Sequence, residues 1–460
     1  MTFGEIRERA VHMRAQNLAA AARLTDRVSA EDYRAQVRPA RQSGETIEIW
    51  TDAFNRALRE HEVLVVPARE EPYYIDASII MPSNRRIEAE GARIRAVDGM
   101  DVLMLRSEHV RDGSRAPIAE GDADENISIL GGRWEEPRTE RAGYGRSGRI
   151  DEARSMHGVS TCMLFNNLSG LTLQHMTFSH CGAFAVQAGN LKNGVFEDVT
   201  FEHCFADGLH LNGNTDTVWI RDVRGYVGDD LVALNMYDWQ DSSVNFGPTR
   251  TVWCENLTLS PESPYKALRI EPGVYYYDDG TSVDCSLHDA VFKNVRGVNT
   301  FKLYYQTPAY LVSESPERGG VGSGGDLYFE DIEIDLAAPI DRLPDYVNSD
   351  PVTGSFAAFE LGSNLESLTL RNVRVRLHRD RYPMSFLVCA GPKSCRVGEK
   401  EIFDPYLSSE TKRLVLEDIT IDGEHPEDVA PYVREIAFDD PARFACPPAA
   451  GRIREIEYRK

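Results

Sequence analysis

The sequence predicts an all-β solenoid, a single parallel β-helix preceded by an N-terminal helical segment, and two observations predict it. The first is a pattern of two short alternating apolar strands joined by a polar Asn or Asp step. It recurs at residues 126–131, 171–178, 195–201, 218–224, 252–259, 290–296, 327–334, 368–375 and 414–421. The second is the spacing of equivalent residues: Met176 to Val199 is 23 residues, Val199 to Val223 is 24, and Cys181 to Cys204 is 23. A period of roughly 20–50 residues marks a solenoid. With no helical pattern between the units, the parallel β-helix is the member of that class that fits. An antiparallel sandwich of similar strand lengths is the competing architecture, and it has no need of so regular a self-similarity.

Taken in chain order, residues 1–45 read as helical, with Ala10, Met13, Leu18, Ala21, Leu24 and Val28 spaced as one face. A short helix follows from Thr51, with Thr51 or Asp52 as its cap. Short strands come next, broken by Pro67, Pro82, Asn84 and Gly91. The solenoid is expected over 46–435, with 436–460 as a tail packed on it. Hydrophobic residues at 42% and charged residues at 27% are those of a globular chain with a large core, not of a disordered one. The 51 Lys+Arg against 73 Asp+Glu leave a net charge of −22, which repels phosphate backbones, so no nucleic-acid partner is expected. No apolar run approaches the length of a membrane span, so no membrane partner is expected either. Eight cysteines occur without zinc-ligand spacing; several, among them Cys181 and Cys204, read as small core residues. The charged N-terminal residues carry no secretory pattern, so the expected location is cytoplasmic, or secreted if a leader has been removed.

Register then places side chains. In stacked parallel strands, equivalent positions lie about 4.8 Å apart and alternate between core and surface. Aligning 209–212 with 232–235 and with 266–270 sends Leu211, Leu234 and Leu268 inward. His210, Ala233 and Ala267 then face out, as do Asn212, Asn235 and Arg269, and this outward row is one wall of a groove. Asp207 falls beside Asp230, 23 residues on, with Asp229 next to it after Gly228. Three carboxylates on one turn raise one another's pKa, and glycosidic hydrolysis needs that pairing of a protonated acid with an ionised base. A solvated acidic turn or a calcium site is the bland alternative. Aromatic side chains at Tyr237, Trp239 and 275–277 lie in loops where stacking on sugar faces is expected.

These turns resemble glycoside hydrolase family 28, the polygalacturonases, which carry an Asn-Thr-Asp-Gly turn and a Gly-Asp-Asp turn one coil later. Here the turns read Phe205-Ala-Asp207-Gly208 and Gly228-Asp229-Asp230. The resemblance spans roughly residues 46–435 and implies a right-handed parallel β-helix. It also implies an inverting hydrolase with Asp229 as general acid, and Asp207 and Asp230 positioning the attacking water. The chain departs from the family at two places. Lys266 stands where the family has a Gly-His-Gly histidine, and Lys302-Leu303-Tyr304 where it has Arg-Ile-Lys. The expected substrate contacts are His210, Asn235, Tyr237, Trp239, Lys266, Arg269, Lys302 and Tyr304, holding the terminal sugar of an oligosaccharide with no metal or cofactor. A polysaccharide lyase or uronate epimerase on the same scaffold, and a non-catalytic carbohydrate-binding β-helix, remain alternatives. Oligomeric state is not legible in the sequence.

Overall fold

A computed structural model describes residues 1–100, 103–110, 123–141, 149–151, 155–157, 162–238, 243–264, 266–276, 279–298, 300–303, 319–335, 356–377, 384–389, 396–397, 400–401, 408–435, 437–438 and 449–459. Almost every strand pairing in the main sheet is parallel and joins one coil to the next. The architecture is therefore the single parallel β-helix that the repeat predicts. One inward column runs through ten coils: Ile87, Ile129, Leu173, Phe196, Ile220, Cys254, Phe292, Phe329, Leu370 and Leu416. All ten are buried, and Cys254 takes its place among them as an ordinary small apolar residue.

The polar step of the repeat has a backbone cause. Asp198, Asp222, Asn256, Asn294, Asp331, Asn372 and Asp418 occupy equivalent positions between two strand segments, all with φ between 47° and 60°. Left-handed backbone is costly for most L-residues and least so for Asn and Asp, so the composition of this step follows from the corner it makes. The side chains also bond along the column: Asn256 Nδ2 donates to Asp222 Oδ1 at 2.7 Å, and Asn294 Nδ2 to Asn256 Oδ1 at 2.7 Å.

A third strand face follows each pair. Its rungs include residues 163–166 and 186–189, then Leu209–Asn212, Val232–Asn235, Leu268–Ile270, Phe301–Leu303, Phe356–Leu361 and Met384–Cys389. This face carries the acidic turns.

The N-terminal expectation needs correction. Helix α1 covers Phe3–Ala22 only, started by a Thr2/Glu5 capping box. Strand Arg27–Ser29 then pairs parallel with Val63–Val65 as the first rung, and Arg38–Gln42 forms a hairpin with Glu45–Ile49. Val28 belongs to that rung, where pairing to a neighbouring strand overrides a weak helical periodicity. Helix α1 lies on the outside of the solenoid, where Ile6, Ala10 and Met13 pack on Val195, Trp219, Trp253 and Val291. Helix α2 covers Thr51–Glu60, but neither Thr51 nor Asp52 caps it: Thr51 Oγ1 donates to Asp76 Oδ1 at 2.9 Å instead. The tail is likewise more than packing, since Ala449–Arg459 pairs parallel with Ser409–Ile421 as a further rung. Among the described residues no helix is long and apolar enough to cross a membrane.

The corner residues yield a test. Replacing Asn256 by Ala keeps a Cβ at φ 60° and removes both ladder hydrogen bonds. The expected loss of unfolding free energy is about 1–3 kcal/mol. Asn256→Gly relieves the backbone strain and should lose less, as measured by urea denaturation of both variants.

Candidate active site

The third-face strands begin in tight turns, and two glycines make those turns possible. A Cβ on Gly208 would lie 2.6 Å from the Leu231 carbonyl oxygen, and one on Gly228 would lie 2.5 Å from the Phe205 carbonyl oxygen. Only glycine permits consecutive coils to close that far, which is why Asp-Gly and Gly-Asp-Asp mark the turns. Asp207 then stands beside Asp230, whose backbone N–H donates to Asp207 Oδ1 at 3.0 Å. Lys266 follows on the next coil, its carbonyl accepting from the Leu231 N–H at 2.8 Å. One oxygen from each of Asp207, Asp229 and Asp230 lies within 4.8 Å of the others, as their spacing predicts.

Beyond that coil the predicted register is shifted by two residues. Leu211 opposes Leu234 as expected, but Leu234 opposes Ile270 and Val232 opposes Leu268. A two-residue shift preserves the face, so Leu268 is still buried in the core. It moves Arg269 into the row of His210 and Ala233, and puts Glu271 next to Asn235. Arg269 Nη2 donates to Glu271 Oε1 at 2.6 Å, while Nη1 lies 3.6 Å from Asp230 Oδ2. Lys302 continues the row beside Arg269, and Glu360 follows Lys302.

The outward row is not an open wall. His210 is 1% exposed, Asn212 0% and Asn235 4%, so none of them offers a surface to substrate. The insertion after Asn235 folds down over them. His210 Nδ1 meets Asp207 Oδ2 at 2.6 Å and Nε2 meets Asp238 Oδ2 at 2.9 Å, with the Phe184 ring stacked at 3.8 Å. Asn212 Oδ1 accepts from the Val244 N–H at 3.2 Å. Tyr237 is also buried, packed among Phe246 and Tyr275 at 6.4 Å from each. It holds the loops together and presents no sugar-stacking face. Lys266 is buried too. Trp239 and Tyr304 lie outside the described residues, as does Tyr277.

Sequence reasoning missed Arg141, Asp238, Glu271 and Glu360. Arg141 Nη2 donates to Asp229 Oδ2 at 2.7 Å across 88 residues of chain. Asp238 comes from the insertion, and the two glutamates become neighbours of the site through the register. A corrected register alone would have found Glu271.

Burial and the neighbouring Asp207 push Asp229 above the usual carboxylate range, against the pull of Arg141 and Arg269. Asp230 is pushed well above it by burial and by Asp229. Neither carboxylate oxygen of Asp230 has a hydrogen-bond partner among the described residues, which suits a carboxyl that keeps a proton. Burial lowers the Lys266 amine, with Asp230 pulling the other way. Burial raises Glu271 to about 7 despite Arg269. For His210, burial opposes the charge, but the hydrogen bonds to Asp207 and Asp238 outweigh it and hold the imidazolium up to about 9.

The three aspartates are one group of acidic ligands in the described structure, and Glu108, His109 and Asp124 are another. At the first, Arg141 is paired with Asp229 at 2.7 Å, and Arg269 lies 3.6 Å from Asp230. At the second, Asp124 is taken by the His109 ring at 2.9 Å and the His109 backbone N–H at 3.0 Å.

No family model and no curated protein matches the chain. Among solved structures it is similar to a family 28 exopolygalacturonase of Yersinia enterocolitica, at 12% identity and TM-score 0.46, covering 94% of this chain and 78% of that one. An exopolygalacturonase of Thermotoga maritima aligns at 10% identity and TM-score 0.46, covering 91% and 97%. The catalytic unit of a family 87 α-1,3-glucanase of Streptomyces thermodiastaticus aligns at 12% identity and TM-score 0.38, covering 94% and 68%. Likenesses at this level say nothing of the reaction, and the fold rests on the strand register.

His210 gives a pH test. Its folded pKa of about 9 stands above the unfolded value near 6.5. Its contribution to stability is then full below pH 6.5 and lost as pH rises through about 9. The loss is on the order of 3 kcal/mol. Unfolding free energy measured across that window should fall in the native chain, and this decline should be absent in His210→Gln.

Proposed function

We propose that this chain is a glycoside hydrolase that cleaves oligosaccharides from one end by a single displacement with water. The observation that carries the reading is the packing of Asp207, Asp229 and Asp230 on two adjacent coils, buried and with raised proton affinity on the Asp229/Asp230 pair. The pair titrates as a unit and supplies the proton. Asp229 is the more accessible of the two, at 8% against 1%, which supports its role as the acid that protonates the glycosidic oxygen. After transfer, its carboxylate is met by Arg141. Asp207 accepts hydrogen bonds at both oxygens, from Asp230 N–H and from His210, as a carboxylate serving as base does. A gap within 4.8 Å between oxygens is bridged by one water making two hydrogen bonds of roughly 2.8 Å. That water attacks the anomeric carbon, its proton passes to the base, and the glycosidic oxygen leaves with the proton of Asp229. The insertion carries Asp238 onto His210 and Val244 onto Asn212, on the coil before the Asp229–Asp230 turn, and cover on that side supports action at a chain end.

Lys266 favours one other reading. Its depressed amine beside Asp230 is what a lyase or epimerase base requires. An unsaturated product absorbing in the ultraviolet would transfer the assignment to it.

The hydrolase reading is tested by leaving groups. Asp229→Asn should lose about 10²–10⁴-fold on an alkyl glycoside and much less on a nitrophenyl glycoside, which departs without protonation. Asp207→Asn and Asp230→Asn should lose activity on both. Proton NMR of the first-formed product should show inverted configuration. Carboxyl groups roughly 5–5.5 Å apart serve retention in most glycosidases and roughly 6.5–9.5 Å inversion. The closeness of this trio makes the stereochemical result decisive, and a retained product would recast one aspartate as a nucleophile.

A further inference from the structure

The insertion after Asn235 is seated by close packing at two places. Val244 lies among Leu103, Val110 and Leu164; its N–H donates to Asn212 Oδ1 at 3.2 Å, and its carbonyl accepts from Asn166 Nδ2 at 3.3 Å. A Cβ on Gly189 would meet Val244 Cγ2 at 2.8 Å, and one on Gly273 would meet Tyr237 Cβ at 2.7 Å, so two glycines make room for the loop. The residue this seating delivers is Asp238, buried against His210.

Two carboxylates, which only accept hydrogen bonds, face the two ring nitrogens of His210: Asp207 Oδ2 lies 2.6 Å from Nδ1, and Asp238 Oδ2 lies 2.9 Å from Nε2. A neutral ring carries one N–H, so one of these contacts would set a lone pair against a carboxylate. A protonated ring donates to both. Asn212 Nδ2, 3.2 Å from Nε2, is the donor that a neutral ring would accept from, but the nearer carboxylate of Asp238 favours the protonated ring. The charges then follow by count. An imidazolium paired with Asp207 alone would cancel its charge and weaken its pull on a proton. With Asp238 the imidazolium is divided between two carboxylates, the three groups carry a net charge of about −1, and Asp207 keeps part of its own. The other charged groups close by are Asp229 and Asp230, whose proton affinity is raised, and Glu271 and Arg269, which pair with each other.

We infer that Asp238 is a positioning residue for the base: seated by the insertion, it keeps His210 protonated and turned toward Asp207, and so leaves Asp207 oriented and charged to take a proton from water. This rests on the hydrolase reading for the step it serves, but not for the state of the ring. Asp238 acts through His210. In that step an O–H bond of water breaks toward Asp207 as the water oxygen bonds to the anomeric carbon, and the glycosidic oxygen leaves with the proton of Asp229.

Two measurements test it. Nitrogen-15 NMR of the histidine-labelled native chain at neutral pH should show both ring nitrogens of His210 protonated, the signal being assigned by its loss in His210→Gln. That protonation should diminish in Asp238→Asn, which keeps the shape of the side chain and removes its charge. For kinetics, the native chain is screened on α- and β-nitrophenyl glycosides of galactose, galacturonate, glucose and glucuronate. Asp238→Asn is then compared with it on the glycoside turned over fastest and on the methyl glycoside of the same sugar. The kcat of Asp238→Asn should fall roughly 10- to 100-fold, less than on loss of the base itself, and equally on both leaving groups. KM should stay within about twofold, because no contact with substrate is removed. A neutral His210 ring in the native chain, a folded Asp238→Asn with unchanged kcat, or a loss carried by KM overturns the inference and leaves the hydrolase reading standing. A ring that is protonated in the native chain and less so in Asp238→Asn, in a protein that cleaves none of these glycosides, overturns the hydrolase reading and leaves the hold of Asp238 on His210 standing. The measurement on the native ring needs no variant, so the inference can still be refuted if Asp238→Asn fails to fold.

Discussion

One backbone constraint organises this molecule: each coil must turn a corner between strands without breaking the hydrogen bonding to the coils above and below. The solution is a single left-handed residue, repeated in register from Asp198 to Asp418. Because Asn and Asp tolerate that conformation, and because their side chains can bond to their counterparts one coil away, the corner is cheap and self-templating. The inward columns, the coil spacing and the direction of the third face all follow from it. If the corner drifted by one residue, every apolar side chain on the following strand would change sides.

The third face shows what such regularity makes possible. Two aspartates from different coils stand a strand spacing apart because the corners before them are equivalent. A loop could not hold like charges that close, since they would move apart. Here the backbone is held by hydrogen bonds on both sides, so the repulsion is expressed as raised proton affinity at Asp229 and Asp230 and not as displacement. The cations around them limit the cost. Arg141, Arg269 and His210 reach the cluster from three different segments, and each is anchored by a hydrogen bond or ion pair. Breaking one such partnership leaves a buried charge uncompensated, so the network behaves as a unit.

The insertion after Asn235 sets this coil apart from its neighbours. It carries Asp238 to the far side of His210, lays Val244 on Asn212, and packs Tyr237 and Phe246 against Tyr275. A row that simple alternation would leave open is thereby buried. Tyr237 and Phe246 fasten the loop down, and the polar row beneath becomes support for the carboxylates.

By itself the sequence determined the parts of this protein that depend on period and parity. The polar step, the alternating strands and the 23-residue spacing are local facts, and they specify a parallel solenoid with Asp207 beside Asp230 wherever successive coils have equal length. Where lengths differ, local arithmetic fails. The span from Val232 to its partner Leu268 contains the insertion, so the register there slipped by two, and Glu271 was overlooked while Arg269 was placed in the wrong row. The extent of α1 was misjudged for a related reason, since Val28 is claimed by a rung whose other strand lies 36 residues away. Only the tertiary structure decided that His210 and Asn235 are buried, that Tyr237 packs a loop, and that Arg141 pairs with Asp229. Those outcomes depend on which segment folds over which, and the energies that choose are contacts between residues tens of positions apart, for which the sequence carries no periodic mark.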